Sequence, residues 1–245
     1  MTALVKFVAA KLPVFIAGVV LLFSFATPVS AAPITLQLVV TVIDVCDNAG
    51  LNCASTGPAA DPYFEAEADK IWAQAGIDIK FVNSGTLNSS ALLNGSTGID
   101  AITGPLAGPG TTMYLMNAIP GLYGNAWVDA GGLAISMFDV TTFNGGIGRL
   151  DTIAHELGHN LGLGHDDSNA NFLIASGGVR NIPNGLGQIC PDGPCFDLLS
   201  AAQIANVVDS ALLIPFTSVP VPEPSTLALL ASGLLTAVWA RRRRA

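Results

Sequence analysis

The sequence predicts a single α/β or α+β domain that lies between two apolar ends. Of the 245 residues, 51% are hydrophobic and only 11% are charged, which excludes a disordered chain and a solvated coiled coil. Strand-like and helix-like segments follow one another through the central part of the chain. Much of the apolar excess lies at the two termini, so the composition does not describe a polytopic membrane protein.

The first half of the central part predicts two strands around one helix. Residues 34–45 alternate in polarity and are rich in β-branched side chains, as expected for a strand that enters the core. We expect the helix to take Asp61 as its N-cap and to stop at Gly76, before a second strand at residues 77–82. Residues 83–110, rich in Gly, Ser and Asn, predict a long surface connection. The helix is indicated by apolar residues at spacings of three and four: Phe64, Ala68, Ile71, Trp72 and Ala75.

The second half predicts two further strands and two helices. The strands are expected at residues 111–119 and 132–138, separated by a Gly-rich turn region at residues 121–127. Helix patterns return at residues 147–161 and 198–212.

The charge distribution excludes one class of partner. Of the 18 acidic residues, 17 lie between Asp44 and Asp209. Such a surface repels phosphate, so we expect no nucleic-acid binding. The same stretch holds only four basic residues: Lys70, Lys80, Arg149 and Arg180.

The N-terminal end predicts a secretory signal peptide at residues 1–31. Lys6 and Lys11 precede an apolar run at residues 12–26, and a small-residue cleavage site ends at Ala31. The alternative is an uncleaved membrane anchor.

The C-terminal end predicts a sorting tail at residues 221–245. Pro222-Glu-Pro224 precedes an apolar segment at residues 225–240, and four arginines follow. As a helix the 16-residue segment would be roughly 24 Å long, against a hydrocarbon core of about 30 Å, which suits transient retention in the inner membrane. The tail resembles the PEP-CTERM sorting signal of Gram-negative envelopes. That resemblance implies cleavage near residues 222–224 by an exosortase; an ordinary C-terminal anchor is the alternative.

The cysteines are consistent with export. Their even number in an exported chain predicts two disulfides, and the close spacing favours the pairs Cys46–Cys53 and Cys190–Cys195. Neither pair has the C-x-x-C spacing typical of zinc ligation or redox cycling.

One segment carries the pattern of a metal site: His155-Glu-Leu-Gly-His-Asn-Leu-Gly-Leu-Gly-His165. A step of four residues on a helix places His155 and His159 on one face, where both can bind one metal ion. Glu156 then lies beside the metal, within reach of its water, as a general base. Gly162 permits a positive φ that ends the helix and returns His165 to the metal. Three imidazoles leave a fourth position open, which is typical of catalytic zinc.

This segment resembles the signature H-E-x-x-H-x-x-G-x-x-H of the metzincin metalloproteases at every fixed position. Asp166 directly after the third histidine is most similar to the adamalysin (reprolysin) branch. The resemblance implies a metzincin-like zincin domain, with a mixed twisted sheet, one helix before the active-site helix and a C-terminal helix. It also implies an edge strand that pairs with extended peptide substrate, and a methionine-containing turn beneath the zinc.

The methionine turn is where this chain departs from the family. All four methionines precede the zinc motif, and Ile174 stands in the methionine position. Isoleucine is apolar and of similar volume, so we expect the hydrophobic floor and zinc binding to persist.

Neighbouring residues have less specific roles. Asp166 and Asp167 either orient His165 or nearby backbone, or form a solvated acidic turn. Asp151 is expected to be a first-turn charge favoured by the helix dipole. Tyr123 and Trp127 are expected to pack loops, with contact to the cleft as the alternative.

The sequence therefore predicts a secreted zinc metalloendopeptidase at residues 32–220, between the signal peptide and the tail. Zn²⁺ is the expected cofactor, and peptides or proteins are the expected substrates. The main alternative is a non-catalytic metal-binding protein of the envelope or biofilm matrix. A third possibility, hydrolysis of a non-peptide substrate, has no positive support in the sequence.

Overall fold

The computed structural model describes residues 33–104 and 108–217. The predicted signal peptide at residues 1–31 and sorting tail at residues 221–245 lie outside these residues. Among the helices that are described, none combines the length and the apolar character needed to span a bilayer.

The described chain forms a mixed α/β fold around one sheet, as the sequence predicts. Four neighbouring strands are parallel, and the short edge strand β4 runs antiparallel to β5. The order across the sheet is β2-β1-β3-β5-β4, and β6 pairs with the start of β1. The strands are β1 (Leu36–Cys46), β2 (Ile77–Asn88), β3 (Thr111–Met116), β4 (Gly124–Ala126), β5 (Gly132–Ser136) and β6 (Ile214–Pro215).

The helices pack around this sheet. The main core is apolar and is formed by the sheet together with α1 and α5, with Trp72 of α1 fully buried in it. The α-helices among the described residues are α1 (Glu65–Trp72), α2 (Ser90–Leu93), α3 (Ile99–Thr103), α4 (Met137–Gly146), α5 (Thr152–Asn160) and α6 (Ala201–Val207).

The first predicted helix is present but begins later than expected. The chain has a positive φ of 52° at Phe64, and the helix starts at Glu65. Asp61 still supplies acceptors to the first turn, because its carboxylate accepts hydrogen bonds from the N–H groups of Glu65 at 2.5 Å and Ala66 at 3.3 Å. Gly76 ends the helical run with a φ of 69°, as predicted.

The prediction of a long connection at residues 83–110 was wrong. β2 continues to Asn88 and pairs with β1 as far as Cys46, and the two short helices α2 and α3 follow. Residues 82–86 are exposed and mostly polar or glycine, so the sequence shows no apolar alternation there. The strand is held instead by backbone pairing with β1.

Three other parts of the second half also differ from the prediction. The Gly-rich region at residues 121–127 contains the edge strand β4. The expected helix at residues 147–161 begins only at Thr152, and α4 was missed because its helical turns start within the predicted strand, at Met137.

The last predicted helix is shorter than expected. A capping box between Ser200 and Gln203 starts α6, which ends at Val207.

The two predicted local disulfides are present, Cys46–Cys53 and Cys190–Cys195. Each closes a short loop, the first at the end of β1 and the second in the chain before α6.

Candidate metal centre

The three histidines of the chain lie on α5 and on the turn that follows it. All nine residues of α5 are buried, and the helix packs against β4, β5 and α1. His155 and His159 lie one helical turn apart, with 4.8 Å between their ring centroids. The predicted common face is therefore present.

The turn after α5 is a glycine-dependent helix stop. Gly162 has a φ of 99°, and its N–H donates to the His159 carbonyl at 3.0 Å. The N–H of Leu163 donates to the Gly158 carbonyl at 2.9 Å, which completes a Schellman motif. The positive φ predicted at Gly162 is confirmed.

This turn brings His165 back to the other two rings. Its centroid lies 4.8 Å from that of His159 and 5.4 Å from that of His155. One ligand atom from each of the three side chains lies within 4.8 Å of the others, so the group could hold a metal ion. His165 is exposed, whereas the other two are buried.

The hydrogen bonds of the buried rings fit a metal. The Nδ1 atoms of His155 and His159 lie 2.7 Å from the carbonyl oxygens of Leu173 and Leu163. A carbonyl only accepts, so the Nδ1 of His159 carries the proton and its Nε2 keeps the lone pair that a metal can bind. Burial lowers the pKa of both histidines, well below the usual value for His155. Neutral imidazole is the form that binds metals.

Glu156 lies in the same cleft as the histidines and is 7% exposed. Burial raises its pKa to about 8, against the opposing charges of Arg180 and Arg149. The backbone of β4 passes close to its side chain: a Cβ atom built on Gly124 would lie 2.5 Å from Glu156 Cγ.

The cleft has a volume of about 470 Å³. One wall is the edge strand β4 with its flanking residues, and another is formed by Gly177 and Gly178. Tyr123 and Trp127 both line it, which is the alternative that the sequence left open, and Tyr123 also packs against Phe143 as expected. Trp127 is 54% exposed at the rim.

An apolar floor lies beneath α5, as expected from the isoleucine in the methionine position. Ile174 is fully buried, and its Cδ1 lies 3.1 Å from a Cβ built on Gly158. The preceding residue, Leu173, supplies the carbonyl next to His155 Nδ1.

Asp166 and Asp167 act as loop acceptors. Asp166 accepts hydrogen bonds from the N–H and hydroxyl of Ser168, and Asp167 accepts from the N–H and hydroxyl of Ser176. Neither carboxylate is hydrogen bonded to His165 among the described contacts. Of the two readings of this acidic turn, the structure favours the orientation of nearby backbone.

Asp151 differs from its predicted role as a helix-dipole charge. It occupies the N-cap position of α5 without a capping hydrogen bond and is fully buried. Its Oδ2 lies 2.7 Å from Arg180 Nε, and its Oδ1 lies 3.9 Å from Arg149 Nε. Asp197 is also fully buried, and burial together with the neighbouring Asp151 raises its pKa well above the usual value.

Sequence reasoning missed the part that the two arginines play. Arg180 Nη1 contacts His155 Nδ1 and donates to the Leu173 carbonyl at 3.0 Å. Arg149 lines the cleft. The available signal was their rarity, since they are two of four basic residues between the ends of the chain.

Asn160 was also missed. It is fully buried at the end of α5, accepts from Thr111 Oγ1 at 2.7 Å, and donates to the Gly132 carbonyl at 3.0 Å. It thus joins α5 to strands β3 and β5. A polar residue inside a buried helix is the signal that could have found it.

The segment that contains the three histidines matches a known protein family. Residues 110–166 match the model of the reprolysin-like metallopeptidases of family M12B. The match extends from β3 to the third histidine, and it confirms the resemblance inferred from the motif. Residues 220–244 match the PEP-CTERM protein-sorting motif. That motif indicates an exported protein of a Gram-negative bacterium.

Solved structures similar to this chain include several metallopeptidases. Metalloproteinase-II from Bacteroides fragilis is 16% identical with a TM-score of 0.42; the alignment covers 75% of this chain and 55% of that protein. Archaemetzincin from Methanopyrus kandleri is 13% identical with a TM-score of 0.39; the alignment covers 70% of this chain and 94% of that protein. A zinc-dependent peptidase from Methanocorpusculum labreanum is 12% identical with a TM-score of 0.39; the alignment covers 69% of this chain and 99% of that protein. No curated protein sequence matches the chain.

Proposed function

We propose that the protein is a secreted zinc-dependent endopeptidase. The observation that carries the proposal is the convergence of His155, His159 and His165 in a cleft that also contains Glu156. The match of residues 110–166 to a metallopeptidase family supports it.

The three histidines are the proposed zinc ligands, each through one ring nitrogen. A set of three neutral imidazoles fits a catalytic zinc ion, because it leaves one coordination position open. When bound, zinc supplies Lewis-acid activation of water and of the scissile carbonyl.

Glu156 is the proposed general base and acid. Its carboxylate takes a proton from the attacking water and later delivers a proton to the leaving amine nitrogen as the C–N bond breaks. The backbone of β4 at Gly124 confines this carboxylate within the cleft, which favours a fixed position for proton transfer.

The proposed substrate is an extended peptide. β4 is the last strand in the order of the described sheet and lines the cleft, so its free edge can pair with a substrate backbone. Trp127 at the rim offers an exposed aromatic surface for substrate side chains.

The test is the variant Glu156→Gln in the zinc-loaded full chain. We expect peptide hydrolysis to fall by at least about 100-fold while the zinc content stays at one per chain. Glu65→Gln, an exposed glutamate on α1, is the matched control and should retain activity. Hydrolysis is measured on a peptide library by mass spectrometry, and zinc by elemental analysis.

Two results would contradict the proposal. Full activity of pure Glu156→Gln protein would exclude the general-base role. A parent chain that binds zinc but cleaves no library peptide would instead favour a non-catalytic metal-binding protein of the envelope or matrix.

The ends of the chain lead to a second part of the proposal. Residues 1–31 direct export, residues 32–220 form the peptidase, and residues 221–245 hold the protein transiently in the inner membrane until an exosortase cuts near residues 222–224. The PEP-CTERM match at residues 220–244 supports this processing. Mass spectrometry of the protein from the producing cells tests it, because an intact Arg-rich C-terminus on all copies would contradict cleavage.

A further inference from the structure

Arg149 is a buried cation in the wall of the cleft that holds the three histidines. It is only 6% exposed and lies just before α5. Its guanidinium carbon is 4.3 Å from the centroid of the Tyr123 ring and 5.7 Å from that of Phe143. The side chain is therefore held against aromatic rings at one end of the cleft.

The guanidinium of Arg149 lacks an acceptor within the described part of the chain. Its side chain makes no hydrogen bond there, and its Nε is fully buried without a partner. The nearest carboxylate oxygen, Asp151 Oδ1, is 3.9 Å away, and the same carboxylate lies 2.7 Å from Arg180 Nε. Arginine has five N–H donors, and leaving a buried one such as Nε unpaired is costly.

The acidic groups around Arg149 are Asp151, Asp197 and Glu156. Two guanidinium groups, Arg149 and Arg180, lie near the carboxylate of Asp151. Asp197 adds little negative charge at neutral pH, because burial and the neighbouring Asp151 raise its pKa well above the usual value. Glu156 lines the same cleft and attracts Arg149, but among the described residues it makes no hydrogen bond or ion pair with it. The guanidinium is therefore left without a hydrogen-bonded carboxylate.

Two glycines leave the guanidinium open to the cleft. Gly177 and Gly178 line the same cleft and are exposed. A Cβ built on Gly177 would lie 3.3 Å from Arg149 Nη2, and a Cβ on Gly178 would meet nothing within 4 Å. Arg180 differs, because its Nη1 is already bonded to the Leu173 carbonyl.

We propose that Arg149 is a specificity-determining residue that binds a carboxylate of the peptide substrate. The carboxylate comes either from an Asp or Glu side chain or from the C-terminus of the peptide, since both fit the planar fork of a guanidinium. That the ligand is a peptide rests on the proposed peptidase function. That the recognised group is a carboxylate rests on the unpaired guanidinium.

The test measures peptide binding, so that it does not depend on catalysis. The protein is the zinc-loaded full chain with Glu156→Gln. The probes are fluorescein-labelled heptapeptides of Ala and Leu that carry Glu or Gln at each position in turn, and one peptide with a free or an amidated C-terminus. We expect about a 10-fold tighter Kd for the carboxylate form in one of these pairs, as measured by fluorescence anisotropy. The pair that shows the preference identifies the source of the carboxylate.

Variants then assign the preference to Arg149. Adding Arg149→Met should bring the ratio of the two Kd values in that pair close to one. Arg149→Lys should keep part of the preference, because the positive charge remains but the planar fork is lost. Gly177→Asp places a competing carboxylate beside the guanidinium and should also remove the preference, with Arg149 intact. Lys80→Met, on the strand β2 at the far side of the sheet, is the control and should leave the ratio unchanged.

The outcomes separate this inference from the proposed function. Equal binding within every pair, absence of peptide binding, or a preference that survives both Arg149→Met and Gly177→Asp would overturn the role of Arg149. Hydrolysis of library peptides by the parent chain would still stand in those cases. A parent chain that binds carboxylate peptides through Arg149 but hydrolyses none would refute the peptidase and keep the binding site.

Discussion

Gly124 lies so close to Glu156 that a larger residue would displace the carboxylate. A Cβ built at this position would be 2.5 Å from Glu156 Cγ and 2.7 Å from Oε1. The edge strand β4 can therefore approach Glu156 this closely only because residue 124 has no side chain. In the sequence, Gly124 is one of several glycines in an expected turn region, and only the contact explains it.

The first prediction concerns this contact. Gly124→Ala should lower kcat by about 100-fold, because a shift of the base by about 1 Å removes its alignment with the water. The zinc content should not change, since the three histidines are untouched. Steady-state kinetics and elemental analysis of the purified variant measure both quantities. Gly187→Ala is the matched control, because Gly187 is exposed and a Cβ there meets nothing within 4 Å; equal losses in the two variants would contradict the prediction.

At the scale of the element, α5 is held at both ends by polar groups. Asp151 at its start lies against Arg180, and Asn160 at its end bonds to residues of the sheet. α1 supports its middle, where the Trp72 ring lies 3.6 Å from a Cβ built on Gly158. α1 itself carries a buried acid, Glu67, whose Oε2 has no hydrogen-bond partner among the described residues.

The second prediction concerns α1 and pH. Burial raises the pKa of Glu67 to about 7, above its ordinary value. Between pH 4.5 and pH 7 the unfolded chain is ionised at this residue while the folded chain keeps the proton, so stability falls as the pH rises. Glu67→Gln removes this loss and should raise the free energy of unfolding at pH 8 by on the order of 1–3 kcal/mol. Urea unfolding at pH 5 and pH 8 measures the difference.

The control for this prediction lies on the same helix. Glu65 is exposed, so Glu65→Gln should change neither the stability nor its dependence on pH. A Glu67→Gln variant that loses as much stability between pH 5 and pH 8 as the parent would show that this residue is not responsible. Asp69 adds a smaller effect of the same sign, because burial raises its pKa to about 6.

At the scale of the whole molecule, the proposed zinc site lies between parts that are distant in sequence. The ligands follow one another within eleven residues, but their surroundings come from β4, from Leu173 and from the buried Asp197. A metal that binds only this folded arrangement stabilises the entire fold.

The third prediction concerns metal removal. Chelation should lower the Tm by roughly 5–10 °C relative to protein with zinc at about 100 times its Kd, which corresponds to about 2.7 kcal/mol. Thermal unfolding followed by circular dichroism measures this shift. His165→Ala removes an exposed ligand with little loss of packing, so it should abolish the response to zinc. A response of full size in His165→Ala would indicate that zinc acts elsewhere on this acidic chain.

The sequence alone determined the features that depend on local geometry. The spacing of His155, His159 and His165 and the stop at Gly162 follow from the helical repeat and from the conformational freedom of glycine, and both are present. β1 was predicted where β-branched residues alternate and the start of β2 directly after the first helix, and the short disulfide loops followed from cysteine spacing.

Only the tertiary structure decided the parts that depend on distant partners. The second half of β2 and the strand β4 are held by backbone pairing to neighbours, which leaves little mark on side-chain pattern. The placing of Arg149 and Arg180 against Asp151 depends on three segments meeting in the core, and no local spacing encodes that meeting. The metal-binding pattern could thus be read along the chain, whereas the charge and shape of the cleft around it arise from long-range packing.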